Sequence, residues 1–252
     1  MTEPSTLSAL LRSLLEADPA RPLVTFYDDA TGERVELSVK SFENWVAKTA
    51  NLLQDELSSD PGEHVALWLP AHWQSAVWVC AAAACGLVVS HDPGTQTPVD
   101  VVVCGPDSMS AALDAGGRDV VALSLRPMGQ GFGSELPDGL TDYAGSVLAQ
   151  GDVFVPVGAP DGDAPFLLAA DGTRSQRELL ETARKRAHEL GLGDGGRLLT
   201  DANPADGAGL TGGLLAAMVT DGSLVLNRNA DPAATDRRAA QERATSTWWV
   251  GR

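Results

Sequence analysis

Cysteine is scarce in this chain, and long apolar runs are absent. Its three cysteines cannot form a full disulfide framework, and all lie in apolar surroundings: Cys80, Cys85 and Cys104. We therefore interpret them as reduced core residues of a cytoplasmic protein. The longest apolar stretch, 76–89, contains Gly86 and is too short to cross a bilayer, and the N-terminus lacks signal-peptide features. The sequence thus predicts no membrane insertion and a cytoplasmic location.

Basic residues are also few. The 252 residues include 18 Lys and Arg against 34 Asp and Glu, which gives a formal net charge of −16. Nucleic acids and anionic membrane surfaces recruit basic patches, so we expect neither as a partner. The same acidic field opposes a nucleotide triphosphate, although a local cluster of arginines could override it.

Several catalytic motifs are missing. The sequence has no Gly-x-Ser-x-Gly element, which leaves a hydrolase built on that elbow unsupported. The four histidines show no metal-ligand spacing, so we predict no metal site. The glycine run 191–196 follows a predicted helix and precedes a predicted strand, the reverse of a dinucleotide-binding fingerprint. The run 129–133 also lacks the required flanks, and we interpret both runs as structural turns.

The sequence does contain a regular alternation of helical and strand patterns. Helices are predicted from about Leu7 to Asp18, from Ser38 to Leu57, and over 73–85, 108–115, 143–150, 175–190, 207–219 and 232–243. Ser38 is predicted to cap the second of these, Gly86 to end the helix 73–85, and Ser175 with Glu178 to form a capping box. Strands are predicted over 23–27, 34–37, 65–69, 87–89, 99–104, 120–124, 163–168, 197–200, 223–226 and 245–250. This order predicts an α/β fold with mostly parallel sheets flanked by helices. We place a first α/β subdomain at 1–150 and a second, truncated one at 151–252, together forming one domain.

The turn after the strand 163–168 carries the main chemical signal. Its sequence is Ala169-Ala170-Asp171-Gly172-Thr173-Arg174-Ser175, followed by a helix. A loop that cradles phosphates is rich in Ser, Thr and Gly and carries a Lys, because hydroxyls and backbone N–H groups bind the oxygens. Only Gly172 and Thr173 fit such a loop, Asp171 adds a carboxylate, and no Lys is present.

Three further segments match a known family in order. Residues 37–42 (LSVKSF) occupy the place of the family's Leu-Thr-Tyr-x-Glu-Leu entry, and 62–70 (GEHVALWLP) resemble its Gly-Asp-x-Val-Ala strand. Residues 82–89 (AAACGLVV) resemble its Ala-x-x-x-x-Gly-Ala element, and the likeness resumes over 163–179 and continues to 226. The chain therefore resembles the N-terminal portion of the adenylate-forming superfamily, which includes acyl-CoA synthetases. It also resembles short AMP-binding-like proteins with a degenerate phosphate loop.

The resemblance implies losses as well as likeness. Full-length relatives are about twice as long, so their adenine-binding loop and C-terminal domain with its catalytic Lys would lie beyond Arg252. The family's Pro-x-x-His element corresponds to 203–207 (NPADG), which lacks the His. We therefore assign no catalytic residue and no metal, keep Gly172 and Thr173 as a vestigial phosphate loop, and expect no cofactor, with ATP or AMP binding doubtful.

Other residues have a functional and a structural interpretation. His91-Asp92 and Cys104-Gly105 follow predicted strands, where open α/β sheets place ligands, yet an exposed turn and an inert core thiol are the simpler interpretations. Arg174, Arg177, Arg184 and Lys185 could hold an anion or could form a solvated helix face.

The tryptophans divide into two sets. Four fall on core-facing patterns and are predicted to be packing residues: Trp45, Trp68, Trp73 and Trp78. Trp248 and Trp249 lie at a predicted sheet edge, where we expect a second copy or a protein partner to cover apolar surface.

For function, two hypotheses remain open. The favoured one is a non-catalytic descendant of an adenylate-forming enzyme that acts as a binding or interaction protein, which leaves enzyme activity unsupported. The alternative is residual binding of an acyl, AMP or CoA ligand, or a ligase-type activity completed by a second chain.

Overall fold

The computed structural model describes residues 3–91, 98–169 and 171–250 and contains two β-sheets with helices around them. The helices are α1 (Leu7–Ala17), α2 (Val39–Asn51), α3 (Trp73–Cys85), α4 (Met109–Asp114), α5 (Tyr143–Val147), α6 (Gln176–Glu189), α7 (Gly207–Gly209), α8 (Leu215–Val219) and α9 (Thr235–Gln241). The strands are β1 (Pro22–Asp28), β2 (Glu33–Ser38), β3 (His64–Trp68), β4 (Val88–Ser90), β5 (Val101–Cys104), β6 (Asp119–Ala122), β7 (Thr141–Asp142), β8 (Pro165–Ala169), β9 (Gly172–Ser175), β10 (Arg197–Thr200), β11 (Ser223–Arg228) and β12 (Ser246–Trp248). The predicted α/β fold with mostly parallel sheets is confirmed.

The first sheet has five strands in the order β12-β10-β11-β1-β2. All its neighbours are parallel except the β1–β2 hairpin, whose turn contains Gly32 at a φ of 76°. Strand β1 pairs directly with β11, which brings Val24 beside Leu224. The sheet therefore joins residues from the two ends of the chain.

The second sheet has seven strands in the order β7-β6-β5-β3-β4-β8-β9. Six of these strands are parallel, and only the edge strand β9 runs antiparallel to its neighbour β8. The fully buried centre of this sheet is made of short apolar runs such as 101–104, as expected for strands covered on both faces.

One large apolar core lies between the sheets and the helices. It includes α1, α2, α3, α6 and α8, and its largest side chains with almost no exposure are Trp73, Trp78, Tyr143, Phe26, Phe42 and Phe166. Every residue of α3 is buried, which explains why its sequence is apolar on all sides. Trp73 and Trp78 are confirmed as core residues, whereas Trp45 and Trp68 are partly buried beside the core.

Local capping signals define several helix ends. Ser175 accepts a hydrogen bond from the Glu178 backbone N–H while the Glu178 carboxylate accepts from the Ser175 N–H, which confirms the predicted capping box. Ser38 caps α2 by accepting a hydrogen bond from the Ser41 backbone N–H, and Gly86 ends α3 in the left-handed conformation at a φ of 72°.

Two helices differ from the sequence prediction in their interior. The helical segments 39–56 and 207–219 each contain a π-helical turn, Leu52–Glu56 and Leu210–Leu214. In the second, a side chain at Gly212 would overlap the ring of Trp248, so the wider turn passes close to β12. The predicted helix at 143–150 ends earlier, at Val147.

The predicted boundary at residue 150 does not separate the two sheets. The first sheet takes β1 and β2 from before this point and β10 to β12 from after it, and the second sheet likewise draws on both parts. The division into subdomains stays a prediction. Within the described ranges, no helix combines the length and apolarity needed to traverse a bilayer.

Candidate functional site

The segment predicted as a vestigial phosphate loop is a tight hairpin. Residues Gly172–Ser175 form β9 rather than a loop, and Ala169 pairs with Gly172, so only residues 170 and 171 separate the two strands. Thr173 pairs with Leu168 and Arg174 with Leu167. Backbone groups of Gly172 and Thr173 that face β8 therefore belong to a β-ladder, and Gly172 takes a φ of 130°, which favours glycine.

The charged side chains around this hairpin are paired with each other. Arg174 forms an ion pair with Asp171, and the Arg177 Nε donates to Asp163 Oδ1 at 2.6 Å. This contact lowers the pKa of the Asp163 carboxyl, since the guanidinium stabilises its charged form. Because Arg174 and Arg177 are both neutralised by carboxylates, neither is free to bind an anion.

The other two basic residues predicted as a possible anion site, Arg184 and Lys185, do not converge on the hairpin. Arg184 lies 3.6 Å from Glu3 in the N-terminal segment, and Lys185 is exposed on α6 without an ion pair in the described parts of the chain. The interpretation as a solvated helix face fits this arrangement better than an anion site.

A cavity of about 280 Å³ lies beside the hairpin. Its walls come from β8, β9, α6 and the turn before α8, and the residues lining it include Asp171, Arg174, Thr182, Gly207 and Thr211. The two threonine hydroxyls donate to helix carbonyls, Thr182 to Glu178 and Thr211 to Gly207, at 2.8 Å each. This cavity therefore offers few free donors to a phosphate.

The turn 203–209 stands where the family resemblance places a Pro-x-x-His element. Asn203 donates through Nδ2 to the carbonyl of Leu69 at 2.8 Å, and Asp206 accepts from the Gly209 N–H as the cap of α7. A Cβ on Gly209 would overlap the backbone carbonyl of Asn203, so this turn accepts no larger residue at that position. The polar side chains of the turn therefore cap α7 and tie the turn to the end of β3.

A second crevice opens at the carboxyl ends of β3 and β5. The chain leaves β3 through α3 towards β4, and it leaves β5 through α4 towards β6, on the opposite side. The two helices cover opposite faces, because Val101 and Val103 belong to the α3 core whereas Val102 and Cys104 pack with α4. Such a topological switch point is where open α/β sheets bind ligands.

The crevice holds a cavity of about 310 Å³. Its lining combines apolar walls with a few polar groups and comprises Trp68, Leu69, Pro70, His91, Gly105, Pro106, Asp107, Ser108 and Leu125. Both strand ends predicted from sequence, His91 and Gly105, therefore meet at one cavity. Asp92 lies outside the described residues.

His91 is held in one tautomer. Its Nδ1 lies 2.8 Å from the carbonyl oxygen of Leu67, and since a carbonyl can only accept, Nδ1 carries a proton. In the neutral ring this leaves Nε2 as an acceptor. Ser108 fixes the opposite wall, because its hydroxyl lies 3.1 Å from the Trp68 carbonyl oxygen and accepts from the Gly105 N–H.

The cysteines are inert core thiols. Cys80, Cys85 and Cys104 are free and buried, and burial raises the pKa of Cys104 to about 11 and those of the other two to about 12. The described residues also contain no cluster of three or more His, Cys, Asp or Glu suited to a metal ion.

The predicted sheet edge at the C-terminal tryptophans exists, since β12 is the outermost strand of the first sheet. Both side chains are partly covered by their own chain. The Arg186 guanidinium lies 5.4 Å from the Trp248 ring, and Trp249 packs with Tyr27 and Leu199.

Sequence reasoning missed three polar groups near the carboxyl ends of β3 and β5. Trp68, interpreted as packing, lines the crevice and has a buried indole N–H with no acceptor among the described residues. Ser108 and Asn203 bind the carbonyls of Trp68 and Leu69 across long sequence distances. No local signal marks such contacts, because they depend on the strand order.

Comparisons with known proteins identify a relative in sequence and several solved structures with the same fold. No protein-family model matches the sequence. A "TIGR03089 family protein" from Mycobacterium tuberculosis is 41% identical over 251 residues, covering 97% of this chain and 99% of that protein. An acyl-CoA synthetase from Brucella canis superposes with a TM-score of 0.78 at 17% identity, over 95% of this chain and 47% of that one.

Two further solved structures agree with this result. The N-terminal domain of FACL13 from Mycobacterium tuberculosis gives a TM-score of 0.73 at 15% identity and covers 95% of this chain and 61% of that one. The anthranilate CoA ligase AuaEII, in complex with anthranoyl-AMP, gives 0.75 at 12% identity, over 97% and 49%. This chain thus spans about half the length of the synthetases, and the fold is that of their N-terminal portion. By its close relative, the chain belongs to the TIGR03089 family.

Proposed function

We propose that this protein is a non-catalytic relative of the adenylate-forming enzymes and acts as a binding or interaction protein. The observation that carries the proposal is the β8–β9 hairpin, in which Gly172 and Thr173 pair with β8. Adenylation requires an in-line attack on the α-phosphate, with the oxygens stabilised by cations and free backbone donors. In the hairpin the nearest cation is paired with Asp171, and the backbone groups that face β8 are committed to the ladder.

Electrostatics supports the same conclusion. Asp171 places a carboxylate at the turn and binds Arg174, so the nearest cation is already neutralised. The formal net charge of −16 adds a long-range field that repels polyphosphates. We accordingly propose that ATP and AMP are not cofactors of this chain.

Titration of the purified protein with MgATP by calorimetry, together with an assay of carboxylate-dependent pyrophosphate exchange, tests the proposal. We expect no saturable heat at millimolar nucleotide and no exchange. The variant Asp171→Asn removes the charge but keeps the hairpin, and we expect it to stay inactive because the backbone amides remain in the ladder. Exchange by the wild-type chain alone would refute the proposal.

The outer edge of β12 supports an interaction role. Backbone groups on the free side of an edge strand are available for pairing with another chain. We propose that a second copy or a protein partner adds at this edge, beside Trp248. Light scattering after size-exclusion chromatography tests self-association, with the exposed edge residue Thr247 changed to Glu to block it. A monomer at all micromolar concentrations, together with no partner co-purified from native cytoplasm, would contradict this edge proposal.

Completion of a ligase activity by a second chain is the alternative proposal, supported by the synthetase fold of the solved neighbours. It predicts that exchange activity appears only after chains are mixed. A carboxylate-dependent signal that requires both chains would favour this alternative over the non-catalytic one.

A further inference from the structure

The segment between α5 and β8 carries an exposed row of valines. Val153, Val155 and Val157 are 76%, 72% and 80% exposed, and they alternate with Phe154 and Pro156, which line a cavity beside α1 and α2. We propose that these three valines, the valine stripe, are the docking surface for an amphipathic helix with basic flanks on a partner protein. The inference rests on the proposed interaction role and assigns it a surface other than the edge of β12.

Polar contacts hold the valine stripe in solvent. The Asn51 side chain donates through Nδ2 to the Val153 carbonyl at 3.0 Å. Gln54, in the first π-helical turn, donates to the Val155 carbonyl at 3.2 Å and accepts from the Val157 N–H at 3.0 Å. The two amides bind the segment as a neighbouring β-strand would. Because they fix an extended backbone, on which side chains alternate, the three valines share one outward face.

Backbone pairing with an added strand is disfavoured at this segment. The two amide side chains occupy the edge to which the valines turn their backbone polar groups. Residue 156 faces the opposite edge, and as a proline it has no N–H to donate. A partner is therefore recognised through the valine side chains and not through an extended β-ladder.

An α-helix matches the valine stripe in length. Val153 and Val157 are four residues apart, which is about 13 Å along an extended chain. Two helical turns rise about 11 Å, so apolar residues at positions i, i+4 and i+7 of a helix can each meet one valine. Three valines offer far less than the roughly 800 Å² that each partner buries in a standard interface between folded proteins. A single helix thus fits this surface better than a second copy of the chain.

Charge beside the valine stripe defines the flanks of the partner helix. Gln54 also donates to the Asp55 carboxylate at 3.2 Å, which places this carboxylate next to the stripe. Asp55 and Glu56 form no ion pair within the described parts of the chain. Lys48 reaches the start of the segment but is already paired with Asp152 at 3.0 Å. This acidic rim and the net charge of −16 favour Lys and Arg on the partner and disfavour a second copy.

A designed probe peptide tests the proposal. The probe is a fluorescently labelled helix of about four turns, with leucines along one face and lysines beside them. We expect saturable binding to the full chain, with a dissociation constant of about 100 μM or tighter, by fluorescence anisotropy. Circular dichroism should show the probe becoming more helical, and the methyl resonances of the valine stripe should shift. A second probe with glutamates in place of the lysines should bind at least tenfold more weakly.

Variants separate the valine stripe from general stickiness. The combined change of Val153, Val155 and Val157 to Thr keeps their shape and replaces methyl groups by hydroxyls, so we expect at least tenfold weaker binding. The unfolding midpoint should not change, because these side chains are exposed. Val250→Thr, at another exposed valine, is the matched control and should leave binding unchanged. Asp55→Asn should weaken binding about threefold at low salt and less at high salt.

Several results would overturn the proposal. They are equal affinity of the triple threonine variant and Val250→Thr, equal binding of the two probes, or binding without added helix. A dimer that the triple variant abolishes would assign the valine stripe to a second copy and also overturn it. None of these measurements involves pyrophosphate exchange or the Thr247→Glu variant, so failure here is distinguishable from failure of the proposed function.

Discussion

The β8–β9 hairpin and the β3–β5 crevice lie at the same carboxyl edge of one sheet but differ in what they offer a ligand. At the hairpin, two residues connect antiparallel strands, and the Asp171–Arg174 pair neutralises its charges internally. At the crevice, the connections after β3 and β5 lead in opposite directions, and His91 keeps its Nε2 as an acceptor beside the cavity. The comparison shows that, within one sheet, the connections after the strands decide whether a strand end is closed, as at the hairpin, or open to a cavity, as at the crevice.

The two regions also differ in how they are supported. The hairpin carries an exposed ion pair beside its ladder, whereas the helix that follows β3, α3, begins next to the buried His72. The turn 203–209 touches both, since Gly207 lines the cavity beside the hairpin and Asn203 binds Leu69 at the crevice. Substitutions in and near these elements therefore test how far the stability of one region depends on the other.

The largest effect is expected from Gly209→Ala in the shared turn. The added methyl would overlap the backbone carbonyl of Asn203, which has no side-chain freedom to move away. We expect the free energy of unfolding to fall by about 3 kcal/mol or more. Urea unfolding followed by fluorescence measures it.

The control for this turn is Gly145→Ala in α5, where a Cβ has nothing within 4 Å. Alanine favours a helix over glycine, so this variant should be neutral or more stable by up to about 1 kcal/mol. Equal destabilisation by both variants would show that the close approach at Gly209 has no energetic role.

An intermediate effect is expected from pH at the start of α3, where His72 is the capping residue. Burial, with a smaller contribution from Arg228, lowers the pKa of His72 to about 3, and His72 Nδ1 accepts from the Gln74 N–H. Because the folded pKa lies below the unfolded value of about 6.5, the contribution is complete above pH 6.5 and is lost as pH falls towards 3. At pH 5.5 the loss should be about 1.4 kcal/mol.

The variant His72→Asn isolates this contribution. Asparagine can still cap α3 through its side-chain oxygen but does not titrate. We therefore expect the free energy of unfolding to depend less on pH between 7.5 and 5.5 than in the wild type, by that same amount. Parallel pH profiles for the two proteins would assign the acid sensitivity to other groups.

The smallest effect is expected from Asp171→Asn at the hairpin. The side chains of Asp171 and Arg174 are 66% and 44% exposed, and exposed ion pairs contribute about 0–1 kcal/mol. Thermal unfolding in low and high salt should therefore differ little between variant and wild type. Glu189→Gln, in an exposed pair with Arg186, is the matched control. A large loss of stability in Asp171→Asn but not in Glu189→Gln would show that the hairpin ion pair is important for the fold.

Sequence reasoning predicted those parts of the fold that depend on local chemistry. The caps at Ser38 and Ser175 and the glycine end of α3 at Gly86 are confirmed, because each is decided within one helical turn. The alternation of elements also predicted the α/β class. Strand β9 was predicted wrongly as a loop, since its sequence of one glycine and three polar residues has no strand pattern and its pairing depends on the backbone of β8.

The candidate site was only partly accessible from sequence. His91 and Gly105 were flagged as strand ends, but their meeting with Trp68 at one cavity follows from the order β5-β3-β4. That order is a long-range property and has no signature in the spacing of residues. The role of Gly172 and Thr173 as a vestigial phosphate loop, and the partner at Trp248 and Trp249, stay predictions.

The pairing of β1 with β11 has a consequence for synthesis on the ribosome. Val24 gains its final neighbour only after Leu224 has been translated, and all strands of the second sheet lie between these two residues in the sequence. Contacts this distant in sequence close late, because a long loop must lose its entropy before they form. For most of its translation the nascent chain therefore carries β1 without its β11 neighbour, with one edge of the β1–β2 hairpin still unpaired.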